Sequence, residues 1–299
     1  MARTGIVFST LIPLLFVALW STGFIGAKYG LPEAEPFTFL LIRMSITVLI
    51  LLLIIPFFKV KWPRQPTAYF NLAIVGILIH GIYLGGVFSA ISRGVDSGLS
   101  AVIVGLQPLV TVILSVIWLK ESLSLVKIAG LLLGLTGIIL VIHSRGIGLD
   151  GIDLIGLLMC FASLLAISVG TIYQKRYCTS YDLLPGICVQ YIGCSIFLLA
   201  LSLLLENHNV VWSTRFIVAL SWLVLVLSIG AVLLLMWLIR HGEAGKVASL
   251  FYLVPPFVAV EAWFLFGEKL SAQALVGIGF CVAGVALAIN AADKKLAPS

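Results

Sequence analysis

What this chain has little of is charge. Twelve acidic and 18 basic residues among 299, against 62% hydrophobic residues and a mean hydropathy of +1.21, leave too little polar surface to coat a water-soluble globule. Charge runs are missing too. The net surplus of +6 is spread as single basic residues at the ends of apolar stretches, which excludes a nucleic-acid patch and reads as a topology signal. Cysteine is scarce: five residues without CxxC spacing, four of them inside apolar runs, so neither a disulfide framework nor a metal centre follows. HExxH, P-loop and G-x-S-x-G patterns are absent, and neither an enzyme activity nor a cofactor is expected. No polar stretch is long enough for a soluble domain.

What is present is a series of apolar runs of membrane-crossing length. Ten spans, each about 17–25 residues as a bilayer requires, fall at 7–27, 37–58, 69–92, 97–119, 124–143, 152–173, 185–205, 215–239, 246–266 and 271–291. Turn residues and charges mark the joints: LPEAEP at 31–36, KVKWPRQP at 59–66, HSRGIGLDG at 143–151 and ENHN at 206–209. The first run lacks a small-residue cleavage site and is read as a span rather than a signal peptide. Lys and Arg at alternate joints number twelve on one side and five on the other, with Arg43 alone inside a span, so both termini are expected in the cytoplasm.

The second half repeats the first. Shifted by 147 residues without a gap, 93–142 lands on 240–289 with twelve identities, among them Arg93/Arg240, Pro108/Pro255, Glu121/Glu268, Ser124/Ser271, Gly130/Gly277 and Gly137/Gly284. The same shift pairs Gly23 with Gly170 and Lys28 with Lys175, and lays Arg43 over Gln190. Five spans per half turn the second copy upside down relative to the first. The expected fold is therefore all-α and integral to the membrane: ten transmembrane helices as two inverted five-helix repeats, 7–143 and 152–291, around a central cavity.

A polar residue inside such a span needs a reason, since an ionisable group there costs at least about 2–3 kcal/mol. Arg43 and Glu261 lie at broadly similar depths in spans two and nine and are expected to face one central space, paired or through a ligand; a fixed structural charge is the alternative. Gln107 and Thr111 belong to a stripe with Ser100 and Ser115 on one face of span four, lining a cavity or bonding neighbouring helices. His80 and Tyr83 share a face near mid-membrane in span three, where a histidine relays protons, binds a carboxylate or is a satisfied interior donor. Trp20, Gln190, Tyr191, Trp237 and Tyr252 complete the candidate cavity. Pro108 and the pair Pro255-Pro256 interrupt spans four and nine at equivalent places and are candidate pivots. Glycines in spans five and ten allow close helix contact, within the molecule or between copies. Ser124 and Ser271 look like helix N-caps.

These features carry a family resemblance. WSTGFIGAKYGLP…EPFTFLLIR at the start, LQPLVTVILSVIWLKESLS in the first half and YLVPPFVAVEAWFLFGEKLS in the second resemble the EamA-type members of the drug/metabolite transporter superfamily, over about residues 7–291. The family pattern of a proline, then Glu and Leu-Ser, stands twice, as Pro108…Glu121-Ser-Leu-Ser124 and Pro255…Glu268-Lys-Leu-Ser271; Lys120 replaces the commoner Gly before Glu. The resemblance implies a cavity formed by spans one to four and six to nine, with spans five and ten outside. It implies, too, relatives that move amino acids, other metabolites or drugs, often as exporters. The expected function is alternating-access transport of a small metabolite, an amino acid or similar zwitterion, across a bacterial-type inner membrane. Protons are a candidate coupling ion and facilitated diffusion the alternative. The other readings are a drug or lipophilic-cation efflux carrier of the same fold, an intramembrane enzyme, and a non-transporting scaffold.

Overall fold

The computed structural model describes residues 2–119, 125–143, 153–178, 182–232, 234, 253–267 and 271–293. Bilayer burial leaves the backbone only itself to bond with, and the long apolar runs among these residues are accordingly helical. The helices are α1 (Ala2–Gly30), α2 (Pro36–Ile54), α3 (Pro66–Gly76), α4 (Tyr83–Ser92), α5 (Ser97–Val104), α6 (Gln107–Leu119) and α7 (Leu125–His143). They continue as α8 (Leu154–Tyr177), α9 (Leu183–Leu205), α10 (Thr214–Ser221), α11 (Val254–Phe266) and α12 (Ala272–Asp293). Two π-helical stretches interrupt the α pattern. Ile77–Ile82 joins α3 to α4, and Trp222–Ala231 continues α10. Among the described residues there is no β-strand beyond one isolated bridge, Ala34 to Val210.

Among the described residues six helices are long and apolar enough to cross a membrane: Ile12–Gly30, Pro36–Phe57, Pro66–Ser92, Leu154–Tyr177, Leu183–Leu205 and Thr214–Ala231. Shorter apolar helical stretches, Ser97–Thr111, Ile128–Val141, Val254–Phe266 and Ala272–Gly284, fall inside the other four expected spans. The chain is a multi-pass membrane protein.

The helices pack as two compact units. The first takes Met1–Ile25, Asp96–Ile152 and Gly230–Ser299; the second takes Gly26–Val95 and Asp153–Ile229. Each unit draws on both sequence repeats. In the first, α12 lies along α7, and α11 packs on α5. A Cβ added at Gly137 would stand 2.5 Å from the Gly277 carbonyl oxygen, and one at Gly284 2.5 Å from that of Gly130. Only glycines allow backbones so close. Because Gly137 meets Gly277 while Gly130 meets Gly284, the two helices run antiparallel. The contacts also exchange under the 147-residue shift, as those across a two-fold axis do.

In the second unit α2 packs on α9, α4 on α8, and α3 on both α8 and α9. Side chains close the N-terminal ends of α2, α8 and α10. Glu206 accepts the amide hydrogens of Phe37 and Thr38, both at 2.7 Å, satisfying two of the donors that the first turn of α2 leaves open. Asp153 caps α8 and pairs with Arg93 at the end of α4. Ser213 caps α10 through Phe216 N, and in the first unit Ser271 caps α12 through Ala274 N, the role its position implied. Its counterpart Ser124 lies outside the described residues.

Candidate functional site

Five of the residues singled out from sequence meet in the second unit. Arg43, on α2, is 5% exposed, and its Nε donates to Ser228 Oγ at 3.1 Å in the second π segment. Tyr191, on α9, sends its hydroxyl to the Ser228 carbonyl at 3.4 Å. The His80 ring, in the first π segment, lies 4.6 Å from the ring of Tyr191, whose neighbour on α9 is Gln190. Tyr83, the first residue of α4, is buried within electrostatic reach of the guanidinium, as is Cys194. Gly76 brings the backbones together: a Cβ there would fall 2.0 Å from the Gln190 carbonyl oxygen.

The π segments give this cluster its shape. The 147-residue shift carries 77–82 onto 224–229, inside the second π segment, so the irregularity is duplicated. A π turn widens the helix and re-aims its side chains, and such turns gather at functional sites. Here one supplies His80 and the other Ser228.

The electrostatics are lopsided. Every acidic residue described in this unit (Glu33, Glu35, Asp153, Asp182 and Glu206) stands at a helix end or joint. Among the described residues no carboxylate pairs with Arg43, and its two terminal nitrogens have no hydrogen-bond partner.

The remaining candidates lie in the first unit or outside the described residues. Glu261, on α11, places Oε1 within hydrogen-bonding distance of Ser21 Oγ, at 2.7 Å, while Oε2 is buried without a partner. Thr111 Oγ1 is likewise buried and unpartnered. Trp20 lies 5.4 Å from the Phe16 ring, and Gln107 opens α6. Trp237 and Tyr252 lie outside the described residues. The prolines mark helix starts rather than interior kinks. α6 begins at Gln107, with Pro108 in its first turn, after a break at 105–106, and α11 begins at Val254, with Pro255 and Pro256 in its first turn. Those two starts are 147 residues apart. Proline has no amide hydrogen and suits a first turn, whose donors are unbonded anyway. Gly105, in the break, packs against Pro255. Ser228, Cys194 and Ser21 are contributors that the sequence did not single out; a lone serine in an apolar run is the one sign that marks Ser228.

A family model described as the EamA-like transporter family matches twice, over residues 7–143 and 154–290. The chain belongs to the EamA-like transporter family. An uncharacterized transporter of Bacillus subtilis (strain 168), YvbV, is 29% identical over 96% of this chain and 92% of its own length. A protein of Salmonella typhimurium named a probable amino-acid metabolite efflux pump is 25% identical over 92% of both chains. One solved crystal structure superposes with a TM-score of 0.68 at 20% identity, covering 96% of this chain and 98% of its own, and so shares the fold. EamA-like membership places the paired π segments and matched helix starts in a transporter chain.

Proposed function

We propose that this protein is a secondary carrier that exports a small carboxylate-bearing metabolite, of the amino-acid class, across a bacterial inner membrane by alternating access. The observation that carries the substrate class is Arg43, 5% exposed in the second unit, with its terminal nitrogens unpartnered and no carboxylate beside it among the described residues. A ligand carboxylate would accept two parallel hydrogen bonds from those nitrogens. Gln190 and the two tyrosines around it supply further hydrogen-bonding groups. Support for transport comes from duplication: the π segments, the helix starts at Gln107 and Val254, and the exchanging glycine contacts of α7 and α12 all recur at one shift. Two copies related in that way, inverted in the membrane with both termini in the cytoplasm, give two equivalent gates around one site. The efflux-pump name borne by a relative points the same way for direction and substrate.

Counterflow in proteoliposomes against a panel of amino acids, nucleosides and lipophilic cations tests the reading. Amino-acid exchange is expected, and Arg43→Gln should weaken apparent affinity at least tenfold, since a charge-assisted hydrogen bond contributes about 1.5–3 kcal/mol. Arg43→Lys should recover part of it. Exchange of lipophilic cations alone, indifferent to Arg43, would instead establish the drug-efflux alternative.

A further inference from the structure

Ser21 has one hydroxyl hydrogen and two oxygen neighbours that both need it. Its Oγ lies 2.8 Å from the Ala18 carbonyl oxygen, one turn back on α1, and 2.7 Å from Glu261 Oε1 on α11. Ser21 is fully buried, so no water stands in as a donor. If Glu261 were a carboxylate, one of these two short oxygen–oxygen contacts would hold no proton and would be repulsive. If Glu261 carries a proton on Oε1, both are satisfied: the acid donates to Ser21 Oγ, and Ser21 donates to Ala18. The second carboxyl oxygen agrees. Oε2 is buried with no partner, which a neutral carbonyl-like oxygen tolerates far better than an anionic one. Among the described residues no positive charge offsets an anion here. α5, packed on α11, has no titratable side chain, and on α1 the titratable residues with described side chains, Lys28 and Tyr29, stand at its far C-terminal end. Glu261 is itself the one titratable residue of α11.

We infer that Glu261 and Ser21 form a proton-binding site, with the glutamic acid as carrier and the serine hydroxyl as a two-position switch. On release the proton leaves Oε1 for water. The Ser21 hydrogen then turns from the Ala18 carbonyl to the new carboxylate, and Ala18 keeps its ordinary helical bond. No bond between heavy atoms changes. As a coupling device this rests on the transport reading above; as a proton site it does not.

Infrared spectroscopy of the full chain in lipid nanodiscs, at neutral pH and without substrate, reads the proton directly. The wild type should show a carboxylic-acid C=O band that Glu261→Gln removes. Ser21→Ala keeps the acid but takes away its acceptor, so the band should persist at a shifted frequency; this arm decides the matter where Glu261→Gln does not fold. A carboxylic-acid region unchanged by Glu261→Gln, or a band indifferent to Ser21→Ala, would overturn the site. Counterflow failing with the band intact sinks transport alone, and the band missing with counterflow intact sinks the proton site alone.

Discussion

At the scale of single residues, the polar groups divide by whether the protein answers them. Arg93 and Asp153 answer each other at the ends of α4 and α8, and the arginine, hydrogen-bonded to the carboxylate, holds Asp153 below its ordinary range. The amide hydrogens of Ile155 and Gly156 lower it further. A carboxylate depressed in the folded state contributes stability that is present above the ordinary aspartate range and is lost as pH falls through the folded value. Thermal midpoints of wild type and Asp153→Asn should therefore differ at neutral pH and converge on acidification below about pH 4, the unperturbed aspartate value. The difference at neutral pH should be small, because the pair is solvent-exposed and screened. A gap between the two that persists in acid would contradict the assignment. Arg43 and Glu261 have only a serine each among the described residues, and the partners proposed for them come from outside the chain: an anion for one, a proton for the other.

At the scale of elements, the π segments are the features most specific to this protein's chemistry. A π turn holds one residue more than the α turn it replaces, so deleting Ile77 should let α3 and α4 merge into a continuous helix. The expected result is a thermal midpoint equal to or above the wild type, with counterflow reduced more than about tenfold because His80 leaves the face of Tyr191. A deletion that leaves transport intact would show the segment to be packing alone. The six long spans were legible in sequence, and so was the setting of Arg43, His80, Tyr83, Gln190 and Tyr191 inside them, since a bilayer fixes span length and a polar residue inside it stands out. The π segments were not. A run apolar on all sides, such as WLVLVLSIGA, carries no phase from which a widened turn is read. Proline signalled a disturbance at Pro108 and Pro255 but not its form, because a kink and a new first turn make the same demand on the backbone. Ser21 was hidden for a different reason: its meaning lies in a contact 240 residues away.

At the scale of the whole molecule, sequence repeats and compact units cut the chain differently. The family model matches 7–143 and then 154–290, yet each compact unit is assembled from pieces of both. α7 has its closest backbone partner in α12, and α2 has its principal partner in α9; in both cases the partner comes from the other repeat. A repeat alone would leave the glycine face of α7 uncovered, and its α2 without the Glu206 carboxylate that receives Phe37 and Thr38. Neither half should therefore fold by itself, although each is a complete copy of the duplicated unit. Expression of the chain split between the two family matches tests this. Each half alone should be degraded or elute as aggregate, whereas the halves co-expressed should purify together as a one-to-one complex and restore counterflow. Gly137→Leu in the first fragment should weaken that complex, because overpacking of a tight contact costs about 1–3 kcal/mol. A single half that is monodisperse in detergent would mean that the repeats fold before they meet. The packing of helices from one repeat against those of the other would then be a late docking step rather than the condition of folding.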